Sequence, residues 1–223
     1  MIVDGKALAD EIRQDLKVRV ARTQKHMRLA VVSVGSSKTT EQFVNQKKKF
    51  GQSIGIDVRV YDFPDTITTN ALRKNIAEIV HIPENTAVII QLPLPSHIQT
   101  DYILDAIPVS KDADVLSSKA MGLFSAGRRG LTPPVAGAVA HIFHTQGVDP
   151  KGKRVVVIGA GRLVGRPVAL WLMNQGATVS VCDEHTQDIG VFTKDADIVV
   201  TGAGGSHVVK ADMVRSGVIA VDA

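Results

Sequence analysis

Residues 153–187, KRVVVIGAGRLVGRPVALWLMNQGATVSVCDEHTQ, decide the fold of this chain. An apolar β-branched run stops at the glycine-rich segment 159–165, an amphipathic stretch follows, and a second apolar run ends in Asp183 and Glu184. This order of strand, glycine turn, helix, strand and acid is typical of a dinucleotide-binding βαβ unit. The sequence therefore predicts a Rossmann-type lobe with a nucleotide at the glycine turn, although an α/β turn that binds nothing can also need glycines.

Each glycine of this turn has a predicted task. Gly159 permits the tight turn out of the strand, and Gly161 lets backbone N–H groups approach a pyrophosphate with no Cβ in the way. Gly165 lies one residue later than in a strict G-x-G-x-x-G pattern and allows the helix to pack closely on the strand. The positive end of the helix dipole then favours the anion. The predicted cofactor-binding residues of this turn and of a later glycine-rich segment are Gly159, Ala160, Gly161, Arg162, Leu163, Val164, Gly165 and Gly204.

The acids at the end of the second strand predict the type of nucleotide. Asp183 and Glu184 can accept hydrogen bonds from a ribose 2′-hydroxyl and would repel a 2′-phosphate. Ala160 supplies no cation beside them, whereas Arg162 lies close in sequence and opposes this interpretation. On balance the pattern favours NAD over NADP.

The composition narrows the class of protein. The 223-residue chain has 44% hydrophobic residues but no apolar run as long as a membrane span, which predicts a cytoplasmic protein without a membrane partner. Its only cysteine, Cys182, allows no intrachain disulfide. The formal charge of +4 is spread out and the aromatic content is 4%, so we expect an anionic small molecule rather than nucleic acid. The histidines lack metal-ligand spacing, and no metal is expected.

Strands alternate with helices along the chain, which predicts an α/β fold with parallel sheets in two lobes. We assign residues 1–133 to an N-terminal lobe and residues 134–223 to the Rossmann-type lobe, with the active site in an interlobe cleft. Residues 108–133 lack periodicity and are interpreted as a connection at the mouth of that cleft. An α/β domain rarely ends directly after an apolar strand, so we expect a further segment after Ala223.

Polar residues of the first lobe are candidates for chemistry. Lys47 lies four residues after Phe43 on one helix face, where a partly desolvated lysine can act as an acid or a base. It can equally be a solvated member of a three-lysine run. Gln91 ends a buried strand before a proline-rich exit that fixes its direction, or it only bonds a loop. Asp112 and Asp114 can accept N–H groups of a polar heterocycle, or both can be ordinary loop aspartates.

Seven segments taken in order resemble one family. They are DGKALADEIR (4–13), EQFVNQKKKFGQSIGI (41–56), QLPLPSHI (91–98), KDADVL (111–116), TPPVAG (132–137), IGAGRLVGRP (158–167) and ADMVRSGVIAVDA (211–223). Together they resemble the bifunctional methylenetetrahydrofolate dehydrogenase/methenyltetrahydrofolate cyclohydrolase family over essentially the whole chain. The QLPLP segment combined with a VGRP-type glycine turn is more specific than either motif alone.

The resemblance implies an activity and a set of site residues. The family oxidises 5,10-methylenetetrahydrofolate by hydride transfer to a nicotinamide cofactor and hydrolyses the methenyl product to 10-formyltetrahydrofolate. Lys47 matches its catalytic lysine, Gln91 the glutamine that pairs with this lysine, and Asp114 the carboxylate that holds the pterin N–H groups. The implied substrate-binding residues are Phe43, Lys47, Gln91, Leu92, Pro93 and Asp114. A homodimer formed through the nucleotide-binding lobes is also implied.

The sequence departs from the family pattern in five respects. Phe43 replaces a tyrosine, so an aromatic ring remains for stacking while the hydroxyl is lost, and Val115 replaces a glycine near the pterin. The glycine turn lacks the arginine and serine of the 2′-phosphate side, and Asp183-Glu184 stand in place of His-Ser. These two changes agree with a preference for NAD over NADP. The family also continues beyond the position of Ala223, with a proline- and glycine-rich loop beside the active site.

Two alternative functions remain open at this point. A catalytically impaired protein that binds a dinucleotide or a folate is favoured by Phe43 and by the end of the chain at Ala223. A two-lobe oxidoreductase of the shikimate-dehydrogenase-like type shares a QLPLP segment, but the helix motif around Lys47 and the KDADVL segment fit it poorly.

Overall fold

The structure is a computed structural model that describes residues 2–23, 25–35, 38–128, 130, 132–205 and 208–223. The chain divides into two units, Met1–Ala120 and Met121–Ala223. Each unit contains one sheet whose strand pairs are all parallel, and the predicted α/β class is confirmed. No helix within the described ranges has both the length and the apolar character that a bilayer crossing requires.

The first unit alternates helices and strands from its start. Its elements are α1 (Gly5–Arg22), β1 (Arg28–Val34), α2 (Lys38–Ile54), β2 (Asp57–Phe63), α3 (Thr69–His81), β3 (Asn85–Ile90), α4 (Thr100–Leu104) and the start of α5 (Ser118–Ser125), which continues into the second unit. Two of these helices have a side-chain cap at their start. Asp4 accepts the backbone N–H groups of Lys6 and Ala7, and Thr68 caps α3.

The strand order of the first sheet, β2-β1-β3, determines which end of the sheet can bind a ligand. The chain leaves β1 towards one side to reach β2 and then crosses to the other side to form β3. Connections therefore diverge at the carboxyl ends of β1 and β3, which is where open α/β sheets bind ligands. Apolar strand residues such as Val32 and Val88 are fully buried beneath this edge, together with Leu72 and Ile76 of α3.

The second unit is a Rossmann-type βα layer, as the sequence predicts. After α5 it contains α6 (Pro134–Thr145), β4 (Arg154–Ile158), α7 (Gly165–Asn174), β5 (Thr178–Cys182), α8 (Gly190–Thr193), β6 (Ile198–Thr201), a short 3₁₀ helix (Ala211–Met213) and β7 (Ile219–Asp222). The strand order is β5-β4-β6-β7. The connections diverge at the carboxyl ends of β4 and β6, so the glycine turn that follows β4 lies at the second ligand-binding edge.

The interpretation of residues 108–133 as a connection without regular structure was wrong. Residues 118–125 form the helix α5 within it. The Asp105 carboxylate accepts the backbone N–H of Ser118 at 2.7 Å and its hydroxyl at 3.0 Å, and the Ser117 hydroxyl accepts the N–H of Ala120. Since a carboxylate thirteen residues earlier caps this helix, local periodicity did not reveal it.

Candidate functional site

Two side chains that the sequence singled out are in direct contact in the first unit. The Lys47 Nζ donates a hydrogen bond to the Oε1 of Gln91 at 3.1 Å. Lys47 lies on α2, the helix that follows β1, while Gln91 follows β3 directly. The diverging connections of this sheet therefore bring together two residues that are far apart in sequence.

Gln91 is held at both ends. Its backbone N–H donates to the carbonyl of Val32 on β1, which extends the ladder between the two central strands by one residue. Its side-chain Nε2 donates to the carbonyl of Leu92 at 3.1 Å. The amide oxygen is thereby turned towards Lys47, and the following Leu92-Pro93 peptide bond is cis. These contacts fix the acceptor that the lysine uses.

Phe43 lies one helical turn before Lys47 and shares its exposed face. The Lys47 Nζ is 5.9 Å from the centroid of the Phe43 ring, within the range of a cation–π interaction. Half of the Phe43 side chain is exposed to solvent. A large apolar ring exposed beside a half-buried lysine offers a flat face on which another ring can stack.

Asp114 reaches the same site through backbone pairing. The segment before it forms a parallel bridge between Asp112 and Val88 of β3. Asp114 follows two residues after this bridge, and its carboxyl interacts electrostatically with Lys47. Burial raises the pKa of the half-buried Asp114 carboxyl; the Lys47 ammonium opposes the rise and the Asp112 carboxylate adds to it.

The two aspartates of the KDADVL segment have different roles. Asp112 is 2% exposed, and its carboxylate accepts the backbone N–H groups of Leu116 and Ser117 at 3.2 and 2.8 Å. It therefore closes its own loop and has little surface left for a ligand. Val115 inside that loop has φ +56°, a left-handed conformation that is rare for a β-branched residue. The loop directs Asp114, and not Asp112, to the Lys47 site.

The remaining predicted substrate-binding residues are placed differently. The Leu92 side chain packs against the hydrophobic core of the first unit, and its backbone carbonyl accepts a hydrogen bond from the Gln91 side chain. Pro93 is exposed and lines a cavity of about 700 Å³ with residues of the β1 and β2 ends, such as Gly35 and Phe63. The structure thus brings together Phe43, Lys47, Gln91 and Asp114.

The glycine turn of the second unit is built around close backbone contacts. Gly159 has φ +101°, and a Cβ on it would lie 2.7 Å from the carbonyl oxygen of Gly202. A Cβ on Gly165 would overlap the carbonyl oxygen of Gly159, which confirms the predicted close packing of helix on strand. A Cβ on Gly202 would overlap the Val164 side chain. These three glycines hold the ends of β4 and β6 together.

Gly161 differs from the other glycines of the turn because, apart from its two chain neighbours, no atom of the described residues lies within 4 Å of the position of a Cβ on it. Its φ is also outside the left-handed region. The backbone there is open to solvent, as a site that admits a pyrophosphate requires. At the start of α7 the N-cap residue is Val164, and no described side chain caps that end. In this first turn the Arg166 N–H donates to the Gly161 carbonyl and Pro167 has no N–H. An anion would therefore be held at the Gly165 N–H and the open backbone of Gly161, and the residues present fit a dinucleotide.

The other predicted cofactor residues surround this opening. Ala160 and Arg162 are half-buried and Leu163 is 48% exposed. Gly204 has φ +66° and open space at its Cβ position, after the end of β6. Sequence reasoning missed Gly202 as a packing residue of the turn, although its position directly after an apolar strand was a usable signal.

The two acids after β5 are not equivalent. The Asp183 Oδ1 accepts the backbone N–H of His185 at 3.0 Å and the Thr186 hydroxyl at 3.4 Å. The Thr186 hydroxyl in turn accepts the Asp183 N–H at 3.0 Å, so this carboxylate is fixed by its own turn. The Glu184 side chain is 87% exposed and lies 3.8 Å from the His185 ring.

Comparison with known proteins gives matches over both units. The family profile described as tetrahydrofolate dehydrogenase/cyclohydrolase, catalytic domain, matches residues 3–114. The profile of the NAD(P)-binding domain of the same family matches residues 133–223. The bifunctional protein FolD of Nautilia profundicola is 38% identical to this chain over 99% of this chain and 79% of its own length.

Two solved structures are similar to this chain throughout. The bifunctional methylenetetrahydrofolate dehydrogenase/cyclohydrolase of Campylobacter jejuni is 36% identical, with a TM-score of 0.93 over 97% of this chain and 78% of that one. The corresponding enzyme of Trypanosoma brucei, complexed with NADP and an inhibitor, is 30% identical with a TM-score of 0.94, over 99% of this chain and 77% of that one.

Proposed function

Because this chain belongs to the tetrahydrofolate dehydrogenase/cyclohydrolase family, we propose that Lys47, Gln91 and Asp114 carry its two reactions on the folate. The protein oxidises 5,10-methylenetetrahydrofolate with a nicotinamide cofactor and hydrolyses the methenyl product to 10-formyltetrahydrofolate. The family match does not favour an impaired binding protein or a shikimate-dehydrogenase-like enzyme. The observation that carries the assignment of residues is the 3.1 Å bond between Lys47 and Gln91, with Asp114 within the electrostatic reach of Lys47.

Binding of the pterin is assigned to Asp114. An ionised carboxylate accepts two parallel N–H bonds, and the amino and ring N–H groups of a pterin supply such a pair. The backbone N–H groups of Leu116 and Ser117 already donate to the Asp112 carboxylate, so Asp114 is the carboxylate of this loop that accepts hydrogen bonds from a ligand. The exposed Phe43 ring supports stacking of the folate's aromatic part, with no hydroxyl to donate a hydrogen bond.

The dehydrogenase step needs little proton chemistry from the chain. A bound nicotinamide supplies the hydride acceptor, and the residues that would hold it are those of the glycine turn, Asp183, Glu184 and Gly204. Asp114 and Phe43 orient the folate and restrict its motion, which raises the rate by lowering the entropic cost of reaching the reactive geometry. Residues 1–133 are thus proposed as the folate-binding domain and residues 134–223 as the cofactor-binding domain.

The hydrolytic step uses Lys47. Water adds to the methenyl carbon, and the C–N bond to the pterin ring nitrogen then breaks to give the formyl group, with the net release of one proton. The Nζ of Lys47 holds or moves that proton, and the Gln91 oxygen keeps the Nζ in place through their hydrogen bond. Since an amide oxygen carries no charge, it orients the lysine without fixing it as an ion pair.

We assign NAD as the preferred cofactor. The support is the pair of carboxylates after β5 and the alanine at position 160, which supplies no cation for a 2′-phosphate. Asp183 is held in one orientation by His185 and Thr186, which pre-organises it for a ribose hydroxyl. Glu184 adds negative charge on the exposed side of the same turn.

A homodimer through the nucleotide-binding unit is also proposed. β5 is an edge strand of its sheet, and Val181 on it is 48% exposed. Exposed apolar edge strands are used for pairing between chains. Replacement of Val181 by lysine should then shift the protein from dimer to monomer in analytical ultracentrifugation, and an unchanged mass would show that β5 is not the dimer interface.

We also propose a cytoplasmic location, which the buried, unpaired Cys182 supports.

A steady-state assay of the intact protein tests the proposed cofactor preference. Reduced cofactor is followed with 5,10-methylenetetrahydrofolate and either NAD or NADP, and hydrolysis of the methenyl compound is measured separately without cofactor. We expect both activities, with a higher kcat/KM for NAD. A higher kcat/KM for NADP would overturn the assignment of Asp183 and Glu184 to the ribose.

A further inference from the structure

Two polar side chains lie together at the carboxyl ends of β6 and β7 and are not used by the mechanism above. Thr201 and Asp222 are register partners in these parallel strands, so their side chains stand on the same face of the sheet. The Thr201 hydroxyl donates a hydrogen bond to the Oδ1 of Asp222. An ionised carboxylate accepts at both oxygens, so this bond orients the Asp222 carboxylate and leaves its Oδ2 for a ligand.

The pair lies beside the glycine turn. Thr201 pairs with Ile158, the last residue of β4, and the next residue, Gly202, donates its backbone N–H to the Ile158 carbonyl at 2.8 Å. Neighbouring strands are about 4.8 Å apart, so Thr201 lies one strand spacing from the end of β4 and Asp222 lies two. The backbone N–H of Ala223 donates to the Thr201 carbonyl at 3.0 Å, so the two strands are paired up to this edge.

The strand order determines which half of the cofactor reaches this pair. In the order β5-β4-β6-β7, β5 and β6 flank β4 on opposite sides. We assign the adenosine ribose to the acids after β5 and the pyrophosphate to the turn after β4. A dinucleotide that crosses this edge then places its nicotinamide half over β6 and β7, where Thr201 and Asp222 are the last residues of the two strands.

The surroundings of Asp222 suit an aromatic ring that carries a positive charge. A cavity of about 460 Å³ is lined by Thr201, Asp222 and Gly205 and otherwise by apolar residues such as Val199 and Val208. Among the described residues that line it, Asp222 is the one charged residue. The oxidised nicotinamide ring is cationic and the reduced ring is neutral, so a carboxylate beside the ring stabilises the oxidised form.

We infer that Asp222, oriented by Thr201, faces the nicotinamide ring of the bound cofactor and favours its oxidised form. The inference rests on the proposed cofactor site, since the acids after β5 set the direction of the dinucleotide. The dehydrogenase step starts from the oxidised cofactor and releases the reduced one. Asp222 therefore raises the affinity for the reactant without raising that for the product, and Thr201 is a positioning residue that acts through it.

Asp195 provides a matched control for the loss of one negative charge. It precedes β6 and so lies at the opposite end of the same sheet, where its side chain is 82% exposed and 4.0 Å from Arg154. Asp195→Asn and Asp222→Asn make the same chemical change, and only Asp222→Asn should affect the cofactor.

The experiment measures the Kd of NAD⁺ and of NADH by calorimetric titration. Asp222→Asn should raise the Kd of NAD⁺ about fourfold, because an exposed charge pair is worth a few-fold, and should keep that of NADH within about twofold. Retained binding of NADH shows that the variant is folded. Asp195→Asn should leave both Kd values as they are, and salt at about 0.5 M should reduce the effect of Asp222→Asn.

Replacement of Thr201 by valine keeps the shape of the side chain and removes the hydroxyl that orients the carboxylate. Thr201→Val should raise the Kd of NAD⁺ about twofold, and it should add nothing to the effect of Asp222→Asn in the double variant. A pair that only joins β6 to β7 would instead change the Kd of NAD⁺ and of NADH alike, which would overturn the inference.

An unchanged ratio of the two Kd values in Asp222→Asn would also overturn the inference, as would an equal change of the ratio in Asp195→Asn. Titration with NADP⁺ and NADPH, which carry the same ring, separates this outcome from a failure of the proposed cofactor preference. Binding of the phosphorylated pair alone, with the same response to Asp222→Asn, would reject the assignment of NAD and support the inference. Binding of NAD⁺ with an unmoved ratio would reject the inference alone.

Discussion

The Lys47 site of the first unit and the glycine turn of the second unit occupy the same place in their sheets but are built by opposite means. Both follow the central strand at which the connections diverge. The first site consists of side chains that come from α2, from the end of β3 and from the loop before α5. The second depends on glycines, which have no side chain, within the contiguous segment 159–165. Activity at the first site should therefore depend on side-chain chemistry, whereas binding at the second should depend on the space around the backbone.

Replacement of Lys47 by methionine is the strongest test of this contrast. The hydrolysis of the methenyl compound should fall about a thousandfold, because loss of a general acid or base removes a factor of about 10²–10⁴. Binding of NAD, which we assign to the other unit, should be retained in a calorimetric titration. Lys48→Met is the matched control and should keep the hydrolytic rate. Unchanged hydrolysis in Lys47→Met would remove this lysine from the mechanism.

Two alanine substitutions in the glycine turn separate packing from binding. Gly165→Ala places a methyl group on the carbonyl oxygen of Gly159 and should lower the free energy of unfolding by about 3 kcal/mol. Gly161→Ala meets no atom of the described residues apart from its chain neighbours, so its unfolding free energy should stay within about 0.5 kcal/mol of the original. Its Kd for the dinucleotide should nevertheless rise about thirtyfold. Urea unfolding and fluorescence titration measure the two quantities.

The contrast would fail if Gly161→Ala bound the dinucleotide as tightly as the unmodified protein. It would also fail if Gly165→Ala unfolded at the same urea concentration, since the close contact with Gly159 would then be dispensable.

Asp114→Asn should raise the KM for the folate about twentyfold, because a hydrogen bond to a charged acceptor contributes about 1.5–3 kcal/mol. The same change should alter the pH dependence of stability. Burial raises the pKa of Asp114, so between the ordinary carboxyl value and the raised one the native protein keeps a proton that the unfolded chain has released. The free energy of unfolding therefore falls as pH rises through that window.

Asp114→Asn lacks this titration, and its unfolding free energy should decline less over the same pH range. Asp112→Asn serves as the comparison, since it loosens the loop through Leu116 and Ser117 and should lower stability at neutral pH. A pH profile of Asp114→Asn identical to that of the unmodified protein would show that this carboxyl is not desolvated in solution.

The smallest expected effect concerns the nucleotide. Ala160→Arg combined with Glu184→Ser should raise the ratio of kcat/KM for NADP over NAD about tenfold, as an arginine gains a charge-assisted bond to the 2′-phosphate. Glu184→Ser alone should give a smaller rise through loss of repulsion. A ratio that does not move in the double variant would place the ribose away from the β5 end.

The parts of the protein that sequence reasoning predicted are those encoded locally. The glycine turn lies within seven consecutive residues, and the packing of Gly159 against Gly165 follows from their spacing. The Lys47–Gln91 contact was reached through the resemblance, because spacing alone does not show that two residues from different βα units meet. Gly202 was missed as a packing residue, since the Val164 side chain that it accommodates comes from another turn.

Long-range contacts explain the other differences. The start of helix α5 is held by Asp105, thirteen residues earlier, as well as by Ser117 directly before it, and a short window of sequence contains only the second of these contacts. The sequence left Asp112 and Asp114 equivalent, and the structure distinguishes them through the bridge of Asp112 to β3 and its hydrogen bonds within the loop. The contact between Arg13 of α1 and the Phe50 ring of α2 depends on the packing of the two helices, which neither helix specifies alone.

Val115 has a left-handed backbone conformation that glycine adopts without strain. This affects how easily the codon at this position can change. Valine and glycine codons differ at a single base, so the relaxed loop is always one nucleotide change away. Left-handed geometry costs an L-residue about 1–2 kcal/mol. The isopropyl group, 1% exposed, returns about 1.5–3 kcal/mol through burial. Burial of the valine side chain therefore roughly offsets the cost of the backbone conformation that the loop imposes on it.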